Sequence, residues 1–312
     1  MMTILVVDIG GTYIRLALSN DGQNFIADPQ KIKTEQFVDI SDALISFVKQ
    51  NQYQPEQISH ILIAKSGRNN WKISKEDIVQ SFPFCHFSLI NDFAANALGL
   101  AHVNHNDLHH LGGVKKTPDI NYPMAVIGSG TGLGLAYISP QKTIQRTHGG
   151  HILPALTSKE HFELFAELQN LKAIKTIPIY EDALSGNGIL NIYKILSGRH
   201  HLDCEYTDTH DLLASGRNNP IVEQGLKLYH EILGIFAHQV LAFGYSYGGL
   251  YLTGGITDRI MTHDLFDKET FFENLYQNNV PCVLNDVKST PIFWVKDEFI
   301  SLKGLLKESA SL

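Results

Sequence analysis

Twice along the chain an apolar run breaks at a glycine-rich turn carrying a threonine, then resumes with alternating polarity. The first copy is TILVVDIGGTYIRLALS, from Thr3 to Ser19, and the second is MAVIGSGTGLGLAYIS, from Met124 to Ser139. A buried-strand run, a glycine tip and a period of two predict a β-hairpin at each place. Laying Thr12 on Thr131 sets TYIRLA on TGLGLA, which suggests an internal duplication with each domain opening on the same hairpin.

The remaining pattern alternates strands with helices. Ile40, Leu44, Phe47 and Val48 mark a helix face, ISHILIA is a strand, Ser74 to Phe82 a helix, and HFSLIN a strand running into a helix capped by Asp92. Further on, Thr157 and Glu160 form a capping box for a helix to Leu171, TIPIY reads as a strand, and GILNIYKIL as a helix closed by Gly198. A long helix from Ile221 to Phe243 leads to the strand GLYLT, and PIFWVK and FISLKGLLKES supply a last strand and helix. This alternation predicts an α/β protein with at least partly parallel sheets. At 312 residues with 44% apolar side chains, the chain can fill two cores.

A net charge of -7 gives no basic surface, so nucleic acid is not an expected partner. The apolar stretch from Ile232 to Ile256 is interrupted by His238, Gln239 and glycines, and no membrane segment is expected. Cys85, Cys204 and Cys282 are far apart and form no CxxC pair, which fits a reducing cytoplasm. The start, MMTILVVDIGG, has no basic leader, so the mature chain is expected to begin there.

Glycine turns let backbone N–H groups approach an anion closely, and Gly10, Gly11, Thr12, Gly130, Thr131 and Gly132 are candidates for holding phosphate. Tight hairpin geometry alone is the alternative reading. The Walker pattern is absent, and GSGTGLG is followed by a strand rather than the helix of a dinucleotide fold. Asp8, at a strand end beside the first turn, is placed to hold Mg²⁺ through water. Asn91 and Asp92 close another strand, at the edge where ligands gather in open α/β sheets, and capping and catalysis are both open to Asp92. Glu181 reads as a further strand-end carboxylate, with solvated surface as its alternative. The stretch THGGH, Thr147 to His151, is compatible with half a metal site, a substrate pocket or a plain loop, although no cysteine or HExxH supplies the further ligands of zinc.

The stretches VVDIGGTYIRLAL, LINDFAANALGL, VIGSGTGLGLAYI, HGGH, EDALSGNGILNIY and LTGGITDRI, in this order, resemble the bacterial glucokinase family. The resemblance implies the two-domain actin-like ATPase (ribonuclease H-like) fold, with an interdomain cleft closing on ATP and a hexose. It implies domains over residues 1–101, with the helix of 297–312 packing back on them, and over 102–296. The implied reaction is transfer of the γ-phosphoryl of ATP to the 6-hydroxyl of glucose, with Mg²⁺. By position, Gly10, Gly11 and Thr12 form one phosphate turn, Gly130, Thr131 and Gly132 the second, and Gly254 and Gly255 an adenosine turn. Asn91, Asp92, His151 and Glu181 fall on the family's sugar contacts, and Asp92 on its general base. The resemblance also favours a homodimer.

The departures leave the nucleotide-side assignment intact and open the question of which sugar is bound. His148 stands where the family has glutamate, Tyr13 follows GGT in place of asparagine, Asp258 replaces a common proline, AKSGRNNW is short, and the last helix lacks the usual glycine-rich form. They leave two alternatives to a glucokinase: a kinase for another hexose or an amino sugar, and a relative that binds without transferring phosphate. Family-fold repressors carry a DNA-binding domain before DxGGT, whereas seven residues precede Asp8 here.

Overall fold

Both glycine turns join antiparallel strands. The computed structural model describes residues 3–65, 70–100, 103, 105–115, 117–119 and 121–309, so residues 66–69 of the short AKSGRNNW segment lie outside the described residues. The strands are β1 (Thr3–Ile9), β2 (Tyr13–Ser19), β3 (Gln30–Lys33), β4 (Ile58–Lys65), β5 (His86–Asn91), β6 (Leu108–Gly112), β7 (Met124–Ser129), β8 (Leu133–Ile138), β9 (Ile144–Arg146), β10 (Gly249–Thr253) and β11 (Ile292–Val295). The helices are α1 (Ile40–Gln50), α2 (Lys75–Ser81), α3 (Asp92–Leu100), α4 (Lys159–Leu171), α5 (Glu181–Leu184), α6 (Gly186–Arg199), α7 (Thr209–Ser215), α8 (Pro220–Gly244), α9 (Gly255–Thr262), α10 (Lys268–Leu275), α11 (Pro281–Lys288) and α12 (Ile300–Ser309).

The chain divides into two compact units, Met1–Asp107 with Asp297–Leu312, and Leu108–Lys296. Their sheets follow one plan. The first runs β3-β2-β1-β4-β5 and the second β9-β8-β7-β10-β11, with β6 added at the end. In each, the glycine hairpin is antiparallel and the strands beyond it are parallel, β1 to β4 to β5 and β7 to β10 to β11. The repeat legible in two short stretches of sequence is therefore a repeat of sheet topology.

In the first unit the period of two sorts β1 between two cores. Leu5, Val7 and Ile9 face the cluster that holds Leu44, Phe47 and Val48 of α1 and Ile78 of α2. Ile4 and Val6 face the opposite cluster, with Ala95 of α3 and Leu302, Leu305 and Leu306 of α12. Asp8 continues that second face and bonds Ser301 of α12. On this face α3 and α12 meet backbone to backbone. A methyl group built on Gly99 would collide with the carbonyl oxygen of Ile300, and one on Gly304 with that of Ala95. Only glycine at both positions allows the approach.

In the second unit Ala125, Ile127, Leu250, Leu252 and Ile292 line one sheet face against α8, α6 and α4. Helix α8 is capped by the Asn219 side chain, opens on Pro220, and ends at Tyr245 in the left-handed region, φ 44. No helix among the described residues is long and apolar enough to cross a membrane.

Three local expectations change. The segment TIPIY is not a strand: Pro178 lacks an N–H, and Tyr180 instead sits fully buried, taking a bond from Ala155 N and donating to Gln239. Helix α4 is capped by Ser158, whose hydroxyl accepts from His161 N, not by Thr157. Gly198 lies inside α6, which runs to Arg199, and the left-handed residue that ends it is His201, φ 55.

The close helix contact gives a stability prediction. Gly304→Ala forces α3 and α12 apart and should cost about 3 kcal/mol, roughly 5–10 °C of Tm. Gly198→Ala is its control, because nothing lies within 4 Å of the added methyl and a helical glycine is being replaced. Thermal melts followed by circular dichroism should show Gly304→Ala well below the parent and Gly198→Ala at or above it. Equal melts for the two variants would contradict a backbone-level contact.

Candidate active site

In the first turn Gly10 N donates to Tyr13 O at 2.9 Å, which closes the hairpin. Thr34 takes both neighbouring carbonyls: its hydroxyl donates to Thr12 O at 3.1 Å and to Gly11 O at 3.4 Å, and its N–H to Thr12 O at 3.0 Å. Among the described residues no bond uses the N–H groups of Gly11 and Thr12, and both residues are exposed. Two adjacent, unengaged amides in a glycine turn make an anion cradle.

Asp8 sits below that turn, 9% exposed. Hairpin register places Arg15 directly opposite, and its guanidinium donates to Asp8 Oδ2 at 3.3 Å, while Ser301 Oγ donates to the same oxygen at 2.8 Å. Burial raises the Asp8 carboxyl above its ordinary range, and Arg15 and Ser301 oppose the rise. Arg15 was reachable from sequence: counting outward from the GGT turn pairs Ile9 with Ile14 and Asp8 with Arg15. Ser301 was not, since it comes from a helix nearly three hundred positions away, |i−j| = 293.

Asn91 and Asp92 end β5 and begin α3. The expected cap moves by one residue. Asn91 Oδ1 accepts from Phe93 N at 3.1 Å and Ala94 N at 3.2 Å, so Asn91 fills the capping role. Its amide nitrogen donates to Asp92 Oδ1 at 3.0 Å, an oxygen that also accepts from Phe93 N at 2.9 Å. Asp92 thus occupies the first helical position, where the helix dipole favours negative charge. Strand register puts Ile9, Lys65 and Asn91 in one row, which sets Asn91 two strands, about 10 Å, from the end of β1. The first glycine turn and Asp92 share the carboxyl edge of the sheet.

The second unit repeats the edge. Gly130 N donates to Gly132 O at 2.9 Å, and among the described residues the amides of Thr131 and Gly132 are unengaged. The turn is bolted to the α5–α6 junction at three points. Ser129 Oγ donates to Leu184 O at 2.7 Å, Gly186 N to Gly130 O at 2.9 Å, and Leu133 N to Glu181 Oε2 at 2.8 Å. Gly254 and Gly255 follow β10 at the same edge. Gly254 has φ +102, and a Cβ there would strike the backbone of Ser129; a Cβ on Gly130 would come within 3.8 Å of Gly255 N. The two turns therefore adjoin, and at their contact position 254 admits only glycine. Asp258, in the first turn of α9, accepts from Trp294 Nε1 at 2.9 Å, a bond that the proline usual there could not make.

The two glycines of THGGH are buried and explain the motif's spacing. A methyl on Gly149 would collide with the Leu135 side chain, and one on Gly150 with the carbonyl of Leu133. The loop is pressed onto β8, helped by Thr147 Oγ1 donating to Leu135 O at 2.7 Å. Its tight turn, closed by His151 N to His148 O at 2.9 Å, stacks the two exposed imidazoles with centroids 5.8 Å apart and planes inclined by 19°. His151 Nε2 lies 3.8 Å from Glu181 Oε2. Glu181 is the first residue of α5, not the end of a strand, and its carboxylate accepts from β8 and lies beside His151. Asp8, Gly10, Gly11, Thr12, Asn91 and Asp92 thus gather in the first unit, and Gly130, Thr131, Gly132, His148, His151, Glu181, Gly254 and Gly255 in the second.

A glucokinase from Chromohalobacter salexigens is 28% identical over 269 residues, 82% of this chain and 83% of that one. Among solved structures, a glucokinase from an Antarctic psychrotroph superposes over the whole of both chains with a TM-score of 0.78 at 24% identity. A glucokinase from Balamuthia mandrillaris, solved with glucose, gives 0.77 at 20% identity and covers 98% of this chain and 93% of that one. The sequence pattern of the glucokinase family runs from residue 5 to residue 309, from the first hairpin to the last helix, and the chain belongs to that family.

Proposed function

We propose that this chain transfers the γ-phosphoryl of ATP to the 6-hydroxyl of glucose. The observation that carries the reading is the pair of glycine turns, each presenting two unengaged amides at the carboxyl edge of a sheet, with Asp92 on one of those edges. Phosphoryl transfer asks a protein mainly for positioning and charge neutralisation, and two cradles with one base supply both. The repeated sheet order supports an actin-like, ribonuclease H-like plan as the scaffold.

In this reading the amides of Gly11, Thr12, Thr131 and Gly132 hold the phosphate chain, and Gly254 and Gly255 let the adenosine lie against the backbone. Asn91, Asp92, His148, His151 and Glu181 meet sugar hydroxyls. Asp92 accepts the proton of the 6-hydroxyl as its oxygen forms the bond to the γ-phosphorus; the bond to the β–γ bridging oxygen breaks and ADP departs. Asp8 suits Mg²⁺ held through water: both of its bonds fall on Oδ2, which leaves Oδ1 for a water ligand. The metal supplies neutralisation of the phosphate charge. The scattered free cysteines support a cytoplasmic setting, and the family resemblance supports a homodimer.

Asp92→Asn keeps the shape and removes the proton acceptor, so kcat should fall by roughly 10² to 10⁴ while nucleotide affinity stays near the parent's. A coupled ADP-release assay reads the first and calorimetric titration the second. Parental turnover in this variant would remove Asp92 as the base.

His148 concerns the sugar. A carboxylate accepts from hydroxyls with a full charge, whereas a neutral imidazole offers one acceptor and a protonated one none. His148→Glu should therefore lower KM for glucose several-fold, and His148→Ala should raise it. If His148→Glu instead abolishes glucose use while His148→Ala is harmless, the imidazole serves a different sugar, which a panel of hexoses and amino sugars identifies.

A further inference from the structure

The three bonds that hold the second phosphate turn all come from one short stretch, Glu181 to Gly186, and one is made by a side chain assigned to the sugar. Glu181 Oε2 accepts Leu133 N–H at 2.8 Å, and Leu133 is the residue directly after Gly132. The same oxygen lies 3.8 Å from His151 Nε2, and the Glu181 side chain is only 12% exposed. Ser129 Oγ, at the entry of the turn, is fixed to Leu184 O, and Gly130 O, at its tip, to Gly186 N. Ser185 Oγ, between these anchors, caps α6 by accepting from Gly188 N at 3.1 Å, so the junction is itself held in place.

We infer that Glu181 is a positioning residue for the nucleotide as well as a sugar contact, and that through it sugar binding and ATP binding strengthen one another. Glu181 fixes the exit of the phosphate turn, and that exit sets the direction of the unengaged Gly132 amide. A sugar hydroxyl donating to the carboxylate restrains the side chain, and the turn beyond it is then ordered before the phosphates arrive. A ligand that meets an already ordered site binds more tightly. The coupling is reciprocal: whatever factor glucose contributes to nucleotide affinity, the nucleotide contributes to glucose affinity. This inference rests on the kinase reading for the identity of the two ligands, and on the geometry around Leu133 for the link between them.

Substitutions at Glu181 separate the link from a sugar contact. Glutamine is the same length and can still accept Leu133 N–H; aspartate keeps the charge but is too short to reach it. With full-length protein and Mg²⁺, AMPPNP binding by calorimetry in the absence of sugar should be within about twofold of the parent for Glu181→Gln. It should be about tenfold weaker for Glu181→Asp and Glu181→Ala, the cost of losing a hydrogen bond to a charged group. Glucose should tighten AMPPNP at least about fivefold in the parent, the low end of ordinary coupling, and leave it nearly unchanged in Glu181→Ala. A residue that touched sugar alone would leave sugar-free AMPPNP binding parental in all three variants, and that result overturns the inference. So does the reverse order, with aspartate parental and glutamine weak, because it assigns the effect to charge rather than to the bond. The glutamine and aspartate variants are each a small change from the parent, so the comparison stands if Glu181→Ala fails to fold. Glucose-dependent ADP release by the parent is measured beside them: its absence, with the glutamine-over-aspartate order intact, sinks the kinase reading and leaves the Glu181 tether standing.

Discussion

The contact between Gly99 and Gly304 underlies the first unit's part of the site. Helices packed through side chains stand 8–10 Å apart, whereas here the main chains of α3 and α12 touch, Gly99 against the Ile300 carbonyl and Gly304 against that of Ala95. Two functional placements follow from this approach. Ser301, next to Ile300, is brought within 2.8 Å of Asp8, and the axis of α3 is fixed, so that Asn91 and Asp92 at its start are aimed from a rigid support. A helix more than two hundred residues downstream thereby completes the carboxylate environment of β1.

Asp8 shows what that completion does. A carboxylate this buried would take up a proton far more readily than one in water, and burial is the largest influence on it. Arg15 from the hairpin and Ser301 from α12 both favour its charged form. The charged form next to the first glycine turn is thus favoured by one local partner, given by strand register, and one remote partner, given by helix packing, against the burial that opposes it. The second unit uses a different device on the same sheet plan. There the turn is held by the α5–α6 junction, whose Ser129, Gly130 and Leu133 bonds replace the contribution of a distant helix.

The parts of this arrangement legible in sequence are those that depend on local sterics. The hairpins, the long α8 and the glycine turns follow from periodicity and from the absence of a Cβ, and they lie where those signals place them. Sequence and structure part where a long-range contact decides the local structure. TIPIY has strand composition, yet Tyr180 finds its partners in Ala155 and Gln239, and among the described residues no neighbouring strand is offered to Pro178. Thr157 and Ser158 are equivalent capping candidates by type, and the choice falls to Ser158 because Thr157 turns to the ring of His161 at 3.4 Å. Glu181 looked like an isolated carboxylate, since nothing in its own neighbourhood announces a bond to Leu133, forty-eight positions earlier.

The same distinction accounts for where this chain departs from its family. In HGGH the glycines face β8 and have no room for a methyl, so the loop's path is set by packing and tolerates no change. The histidines point outward, with His148 exposed and His151 stacked upon it, so a change of side chain there leaves the loop where it is. A position of this kind can exchange a carboxylate for an imidazole without disturbing the fold. Gly254 belongs to the first class, locked by φ +102 and by the backbone of Ser129. Backbone amides are positioned by packing, whereas exposed side chains such as His148 are free to vary without moving the loop that carries them.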